Sequence, residues 1–495
     1  MRSAAPGSYG IAVAVSARRP AAAVLPLAVI AALCLAAILV WAAFPTWPTY
    51  DSQYALLWAQ ELVDGTAPGF DDYRAPTSHP LLIPVGLLLS PFGADTGGRV
   101  FVGLMMLSLV ALIVAMYRLG RATAGVLGGL AAAGLLASRL DYGLLASIGF
   151  LDIPYCALIA WAAVMTYERP RRDLRVLAAL TLAGLLRPEA WLLAAAYALW
   201  AGWGHPLVHR ARLLAAAATA PAVWSAVDLA VTGDPLFSLH HTDALATELG
   251  RERPLLELPG VMLSLLTEIV KLPVLGMAAA GALLAIRLRN RSLVLPGALA
   301  GLTCATYLVI ASGGLAIVYR YLLVAGLGVV LFAAYALTGW TTLARGSTLR
   351  RAWACAAAVL VITGAAYTVG RTSTAGVISQ LRERAVLQRD LRAVLTAPAV
   401  ADARRCGPLT VPNHKLIPQV RAMLGLRSGE VVARSDRSLR PQTSGVAIVI
   451  DRRIERRPAL DVWEVPTDGL ASVMAPDGFR PLAGNRRFAA WSACA

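Results

Sequence analysis

The segment TWPTYDSQYALLWAQELVDG, residues 46–65, places a carboxylate directly after an apolar run that is long enough to cross a membrane. An acid at the end of a membrane helix is costly unless it faces protein or water, so Asp51 is a candidate functional residue. A carboxylate there could take a proton from a hydroxyl group, as a general base does. The alternative is structural, because aspartate is a strongly preferred N-cap and a helix is predicted over residues 52–62.

Further charged side chains fall at the predicted outer ends of membrane spans. Asp152 precedes Pro154 and could either belong to the same site or cap its own helix. Arg187 and Glu189 flank Pro188 inside an apolar run. They predict either a self-paired turn, with Glu189 at a helix N-terminus, or an arginine that faces a cavity.

A cation and an imidazole complete the set of candidates. Arg320 lies between Tyr319 and Tyr321, and it could bind a phosphate or could belong to an aromatic belt at the membrane surface. His79 precedes Pro80 and could shape its loop or contact a sugar. The pairs Asp71-Asp72 and His240-His241 leave a divalent cation open as a cofactor, although a solvated loop is the commoner explanation of such pairs.

The composition is that of a polytopic membrane protein. Of 495 residues, 58% are hydrophobic and only 15% are charged, and the mean hydropathy is +0.63. Several runs of about 20 apolar residues are present, which is the length that crosses a bilayer. The net charge of +16 fits an anionic lipid surface better than nucleic acid, since no nucleic-acid-binding motif occurs.

Arginine-rich loops predict the orientation of the spans, because short cytoplasmic loops carry the positive charge. They place the N-terminal tail, residues 1–20, inside the cell and the first loop, 45–98, outside. About eleven crossings result over residues 21–370. They include two half-spans that turn at residues 187–189 and a single span over 260–286. They also include a return pair, meaning two consecutive spans that cross in opposite directions, at 99–117 and 124–138. The stretch 81–93 is too short to span and predicts an interfacial or re-entrant helix.

The last part of the chain, residues 371–495, has a different composition. Charged residues become frequent and short β-like runs occur, such as VAIVI at 446–450. These features predict a small soluble α/β domain outside the cell. Cys406 and Cys494 both lie in it, so a disulfide between them is compatible with the sequence but is not required by it.

The position of the polar residues limits the chemistry. The cytoplasmic loops are too short to hold a nucleotide-binding domain, and no P-loop or dinucleotide fingerprint is present. A reaction on the outer face therefore needs a donor that a lipid carries, with a phosphate as its leaving group. Such a site requires a base for the acceptor and cations for the phosphate.

Six segments in order resemble the landmarks of the GT-C membrane glycosyltransferases, in the branch of the protein O-mannosyltransferases and aminoarabinose transferases. The segments are YDSQYALLWAQELVDG, SHPLLIPVGLLLSPFG, GFLDIPYCALIAWAAV, AGLLRPEAWLL, TGDPLFS and YRYLLVAGLGVVLFAAYAL. They cover roughly residues 20–345. The stretch VPNHKLIP, 411–418, suggests an actinobacterial member of unassigned specificity.

This resemblance implies a plasma-membrane enzyme that moves a hexosyl or pentosyl unit from a polyprenyl phosphate to a glycan, lipid or protein acceptor. It implies that Asp51 is the catalytic base and that Arg320 holds the donor phosphate. Many members carry Asp-Glu where this chain has Asp51-Ser52, which puts any role of the second acid in doubt. The remaining candidates for substrate contact are Asp152, His79, Arg187, Glu189 and Tyr319.

Two alternatives from other classes remain. A lipid or sugar transporter would use the outer acids for coupling, but the sequence lacks internal repeats and its polar residues cluster on one side. A non-catalytic scaffold in envelope assembly is the other alternative, and Ser52 keeps it open.

Overall fold

A computed structural model describes residues 27–70, 72–170, 174–250, 254–315, 318–371, 374–450 and 474–494. Most of the described chain is helical. The helices up to residue 371 are α1 (Leu27–Ala43), α2 (Tyr50–Val63), α3 (Leu82–Leu89), α4 (Gly93–Ala137), α5 (Leu140–Ser147), α6 (Asp152–Glu168), α7 (Leu174–Leu186), α8 (Ala190–Gly202), α9 (Leu207–Thr232), α10 (Phe237–Glu248), α11 (Leu258–Val270), α12 (Leu272–Arg287), α13 (Val294–Ser312), α14 (Leu323–Thr338) and α15 (Thr348–Arg371).

The apolar helices make the chain a membrane protein. Within the described residues, five helical stretches are long and apolar enough to cross a membrane, or up to seven if each of two bent pairs is one span. Helices α1, α7 and α8 are apolar but shorter. The number of eleven crossings and the orientation of the termini therefore stay predictions.

Helix α4 folds back on itself. Its backbone leaves helical geometry at Ala124 and at Gly125, where φ is +71°. A Cβ atom added to Gly120 would lie 2.4 Å from the carbonyl oxygen of Gly128, so the two halves touch across the turn. Glycine suits both positions, because it permits a positive φ and close backbone approach. The halves match the predicted return pair at 99–117 and 124–138.

Two further breaks interrupt the apolar helices. The turn at residues 187–189 separates α7 from α8, as the charges there predicted. The predicted single span over 260–286 is wrong in one respect: α11 and α12 meet at a bend of 104°. Lys271 lies at this bend with a φ of +68°, and Pro273 occupies the first turn of α12. Proline suits a helix start, which explains why a new helix begins there.

The C-terminal part combines three helices with a mixed sheet. The elements are α16 (Thr374–Leu395), α17 (Pro398–Ala403), β1 (Leu409–Val411), α18 (Ile417–Leu424), β2 (Val431–Ala433), β3 (Gly445–Ile450), β4 (Arg480–Gly484) and β5 (Phe488–Ala493). The strand order is β2-β1-β3-β5-β4. The first three strands pair in parallel, and β5 is antiparallel to β3 and β4. The predicted strand at 446–450 is present.

A disulfide joins Cys406 to Cys494, with Cα atoms 5.4 Å apart. It ties the end of β5 to the segment that leads into β1. The sequence left this bond open, and the structure contains it. Its separation of 88 residues closes most of the C-terminal part into one covalent loop.

The C-terminal part shares its apolar core with the first loop. One buried cluster unites residues of the segment 47–75 with residues of α16, α18 and the sheet: Trp47, Tyr54, Trp58, Phe70, Ala75, Leu387, Leu391, Val420, Val411, Ile448 and Phe488. At its centre, the Arg421 guanidinium is fully buried and contacts the carboxylates of Glu61 and Asp72. The two segments therefore form one packed unit that rests on the membrane helices.

Candidate functional site

The first turn of α2 positions Asp51. The helix begins at Tyr50 with Thr49 as its N-cap, and no side-chain hydrogen bond caps it. The alternative that Asp51 caps a helix over 52–62 is therefore wrong, since Asp51 is already helical. Next to it, the Ser52 hydroxyl donates a 2.6 Å hydrogen bond to the Gly149 carbonyl. This bond fixes the start of α2 against the turn between α5 and α6.

The Asp51 carboxylate forms an ion pair with Arg320, whose Nη1 lies 3.0 Å from Oδ2. Arg320 belongs to the short 3₁₀ helix Tyr319–Leu322, which leads into α14. The two side chains are 23% and 29% exposed, so the pair opens to the surroundings. The aromatic-belt interpretation of Arg320 did not predict this contact, which spans 269 positions of the sequence.

Two opposing effects set the pKa of Asp51. Burial acts to raise the pKa of this carboxyl, whereas the positive charge of Arg320 and its hydrogen bond act to lower it. The net result is a pKa below the ordinary value of 3.8. Asp51 is therefore ionised at neutral pH, and the cation holds it in that form.

A second arginine lies at the break between α7 and α8. Arg187 donates to the Asp152 carboxylate and to Glu189 Oε1, the latter over 2.7 Å. All three residues are buried. Asp152 forms no cap bond at the start of α6, so its capping alternative is also wrong. The self-paired turn predicted at 187–189 is present, with Asp152 as an additional partner.

His79 is anchored to the same break. Its Nδ1 lies 2.8 Å from the carbonyl oxygen of Leu186, and the Leu81 amide donates to the Leu185 carbonyl over 3.2 Å. Carbonyls at the end of a helix lack intrahelical partners, which explains why they accept these bonds. Burial lowers the pKa of His79, against the opposing effect of Asp51. We assign the proton to Nδ1 from this geometry, which leaves Nε2 as an acceptor.

The structure thus groups the predicted residues into two neighbouring centres. Asp51 and Arg320 form one centre. Asp152, Arg187 and Glu189 form the other, and the formal charges of these three side chains sum to −1. The charges of Asp51, Arg187 and Arg320 all act on His79, which is therefore near both centres.

Aromatic rings surround the buried arginine. Tyr319 is half-buried against the main apolar core. Tyr321, which the sequence singled out only as a neighbour of Arg320, lies beside Arg187 with its ring centroid 5.2 Å from the guanidinium carbon. Tyr155 lies 5.8 Å from the same carbon. These tyrosines were missed because their partner is distant in the sequence.

The described residues give the cation hypothesis no support. They contain no group of three or more histidine, cysteine, aspartate or glutamate side chains that could hold a metal ion. Asp72 binds Arg421 and the Ser428 hydroxyl, and His240 Nδ1 lies 2.7 Å from Asp234. Asp71 lies outside the described residues.

The arrangement can bind an anion and accept a proton at one place. An ionised carboxylate and a guanidinium meet at a partly exposed position, and a second, closed arginine centre lies nearby. Arginine suits phosphate because its planar fork donates two parallel hydrogen bonds.

Comparison with known proteins places the fold. No family model matches the sequence, and no curated protein matches it. Among solved structures, a crystal structure of ArnT from Cupriavidus metallidurans bound to undecaprenyl phosphate is similar, with a TM-score of 0.56. The match covers 94% of this chain and 98% of ArnT, at 14% sequence identity. The fold is GT-C-like. This confirms the predicted fold class at that level, and the likeness extends through the C-terminal part.

Proposed function

We propose that the protein is a glycosyltransferase that moves a sugar from a polyprenyl phosphate to an acceptor hydroxyl outside the cytoplasm, with Asp51 as the general base. The observation that supports this most is the open Asp51–Arg320 pair at the start of α2, the helix that follows the first apolar helix. The similar ArnT structure was solved with undecaprenyl phosphate bound, which supports a polyprenyl-phosphate partner for a chain of the same fold.

In the proposed reaction, the acceptor oxygen attacks the anomeric carbon of the donor sugar. The bond between that carbon and the phosphate oxygen breaks, and the electron pair leaves with the polyprenyl phosphate. Asp51 takes the acceptor proton, and Arg320 stabilises the negative charge that develops on the phosphate. No redox partner is needed.

The ion pair imposes an order on these events. While Arg320 holds Asp51, the pKa of the carboxyl lies below its ordinary value and the carboxylate is a weak base. A donor phosphate competes for the same guanidinium. As Arg320 turns to the phosphate, the burial of Asp51 is less opposed and its pKa rises, so the base becomes stronger when the donor is in place.

The neighbouring residues would position this pair. Arg187, held by Asp152 and Glu189, fixes the break from which the Leu186 carbonyl binds His79. We propose that His79 contacts the donor sugar through Nε2, and that Tyr319 lines the path of the lipid. The acceptor would approach from the C-terminal part, which we propose to be extracytoplasmic.

The test is release of polyprenyl phosphate from a panel of labelled polyprenyl-phosphate sugars by the purified protein. Asp51→Asn keeps the shape of the side chain and removes the base. Loss of a general base lowers turnover by about 10² to 10⁴-fold. Asp64→Asn is the matched control, because Asp64 is an exposed acid at the other end of α2 that binds only Gln60 among the described contacts.

The alternatives give different results in this assay. A transporter would move labelled lipid across vesicles without releasing polyprenyl phosphate, and Asp51→Asn would alter that flux. A scaffold would release nothing in either form. Release by the wild type that Asp51→Asn leaves unchanged would reject Asp51 as the base.

A further inference from the structure

A cavity lies beside α2, on the side of the helix that carries Gln53. It has a volume of about 420 Å³ and lies between the first loop, the start of α4, and helices α16 and α18. Residues of both the membrane part and the C-terminal part line it. Its size falls within the range of about 300–1,000 Å³ that is usual for small-molecule sites.

Three glutamines line this cavity from three different elements: Gln53 of α2, Gln388 of α16 and Gln419 of α18. Gln419 is 5% exposed, and neither its Oε1 nor its Nε2 has a hydrogen-bond partner. Burying an amide without a partner is costly. The Gln419 side chain lines the cavity, and its terminal torsion is soft enough to reorient the amide toward a ligand.

Two of the three arginines that line the cavity are already engaged, and the third, Arg389, is 74% exposed with its Nε 3.8 Å from Asp390. The Arg99 guanidinium donates to the backbone carbonyls of Trp41, Phe44 and Thr46. Arg392 pairs with the carboxylate of Asp95. Besides the solvent-exposed Arg389, the cavity offers a ligand mainly neutral amides, which both donate and accept hydrogen bonds, beside the apolar surface of Trp47 and Met423. Sugar hydroxyl groups have the same double character.

The cavity is also close to the reacting carboxylate along α2. Gln53 follows Asp51 by two residues, and helix geometry turns their side chains about 200° apart. Asp51 and the cavity thus flank opposite sides of one helical turn. A ligand that fills the cavity and also meets Asp51 must therefore be longer than one sugar unit and run around the start of α2.

From these observations we infer that this cavity is an acceptor subsite, and that the acceptor is a neutral oligosaccharide or polysaccharide rather than a lipid or a protein. That the bound glycan is the acceptor rests on the proposed function. That the cavity binds a neutral glycan rests on the cavity alone. Gln419 pairs with a sugar hydroxyl, and a unit remote from the reacting hydroxyl occupies the cavity.

The experiment is saturation-transfer difference NMR on the full chain in nanodiscs. The probes are linear trisaccharides of mannose, arabinose, galactose and glucose, with an oligogalacturonate trimer and a Ser/Thr-rich peptide as competing classes. We expect at least one neutral trisaccharide to bind. Gln419→Met keeps the length of the side chain but removes the amide, and it should weaken that binding about tenfold.

Three controls make the result specific. Gln60→Met makes the same change at a half-buried glutamine of α2 that does not line the cavity, and it should leave binding unchanged. Asp51→Asn should lose transfer and keep binding. Ala422→Trp fills the cavity from α18 and should abolish binding, so the inference remains testable if Gln419→Met fails to fold.

The inference is overturned if no neutral trisaccharide binds, if only the acidic trimer or the peptide binds, or if Gln419→Met binds as well as the wild type. Glutamine-dependent binding without any sugar transfer would reject the proposed function and leave a glycan-binding site. Transfer without such binding would reject the inference alone.

Discussion

Two arginines of this protein contact carboxylates across long stretches of sequence, yet their surroundings differ. Arg421 is fully buried and is held by Glu61 and Asp72, where α18 meets the first loop. Arg320 is 29% exposed, and Asp51 is its one ion-pair partner among the described residues. The first contact is closed on all sides, and the second leaves donors of the guanidinium accessible.

The difference separates a structural role from a chemical one. A fully buried arginine with two carboxylate partners is inaccessible to a ligand, and the loss of one member leaves uncompensated buried charge. A partly exposed pair stabilises the fold little, but it can exchange its partner for a phosphate. The Arg187 centre is of the closed type, which is why we assign it positioning and not chemistry.

The largest effect is expected at the closed contact. Arg421→Met removes the cation and leaves the carboxylates of Glu61 and Asp72 buried together, which should lower the free energy of unfolding by about 3–5 kcal/mol. Thermal unfolding of the purified protein measures this. Arg427→Met is the matched control, because Arg427 is exposed six positions further on, and it should change stability by less than about 0.5 kcal/mol. Equal melting temperatures for the two variants would contradict the structural role.

The open pair should behave in the opposite way. Arg320→Gln should lower the rate of sugar transfer by about 10² to 10³-fold, the usual effect of removing a donor that stabilises developing negative charge. Its effect on the free energy of unfolding should stay below about 1 kcal/mol, since the pair is partly solvated. A variant that loses stability in proportion to activity would place Arg320 with the structural arginines.

The disulfide gives a second test of whether the C-terminal part has a structural role, as Arg421 has, or a chemical role, as Arg320 has. It closes a loop with a sequence separation of 88 residues, and Cys406→Ser with Cys494→Ser should lower stability by about 2–4 kcal/mol. The double variant should transfer sugar normally below its melting temperature, because neither cysteine approaches the Asp51–Arg320 pair. Cys355→Ser, at an exposed free cysteine, is the control. A loss of transfer in the folded double variant would mean that this part shapes the reaction directly.

The sequence predicted the features that depend on neighbouring residues. The break at 187–189 followed from charges inside an apolar run, the return pair in α4 from two apolar stretches separated by arginines, and the strand at 446–450 from its β-branched residues. The bend at Lys271 was missed although Pro273 marked it, because proline fits both a kink and a helix start.

The contacts between distant segments could not be predicted in this way. Arg421 reaches Asp72 across 349 positions and Glu61 across 360, and no local pattern carries that pairing. The shared core of the first loop and the C-terminal sheet was missed for the same reason. Asp51 and Arg320 were both named as candidates, but only the fold brings them within 3.0 Å of each other. The roles of the candidate residues, the domain boundaries and the actinobacterial origin stay predictions.

The smallest expected effect is a shift of the pH profile, and it tests the link between the two members of the open pair. In the wild type, Arg320 keeps the pKa of Asp51 below the ordinary value of 3.8, so kcat/KM should hold its plateau through the ordinary carboxyl range as the pH falls. Arg320→Gln removes the charge while the burial of Asp51 remains. Burial then raises the pKa against only the remaining effects of His79 and Arg187, and the acidic limb of kcat/KM should move to higher pH. Arg320→Lys keeps the charge, so its limb should stay near that of the wild type even if its rate is low. An acidic limb at the same pH in all three proteins would show that Arg320 does not control the ionisation of Asp51, and the proposed exchange of Arg320 between carboxylate and phosphate would then lose its physical basis.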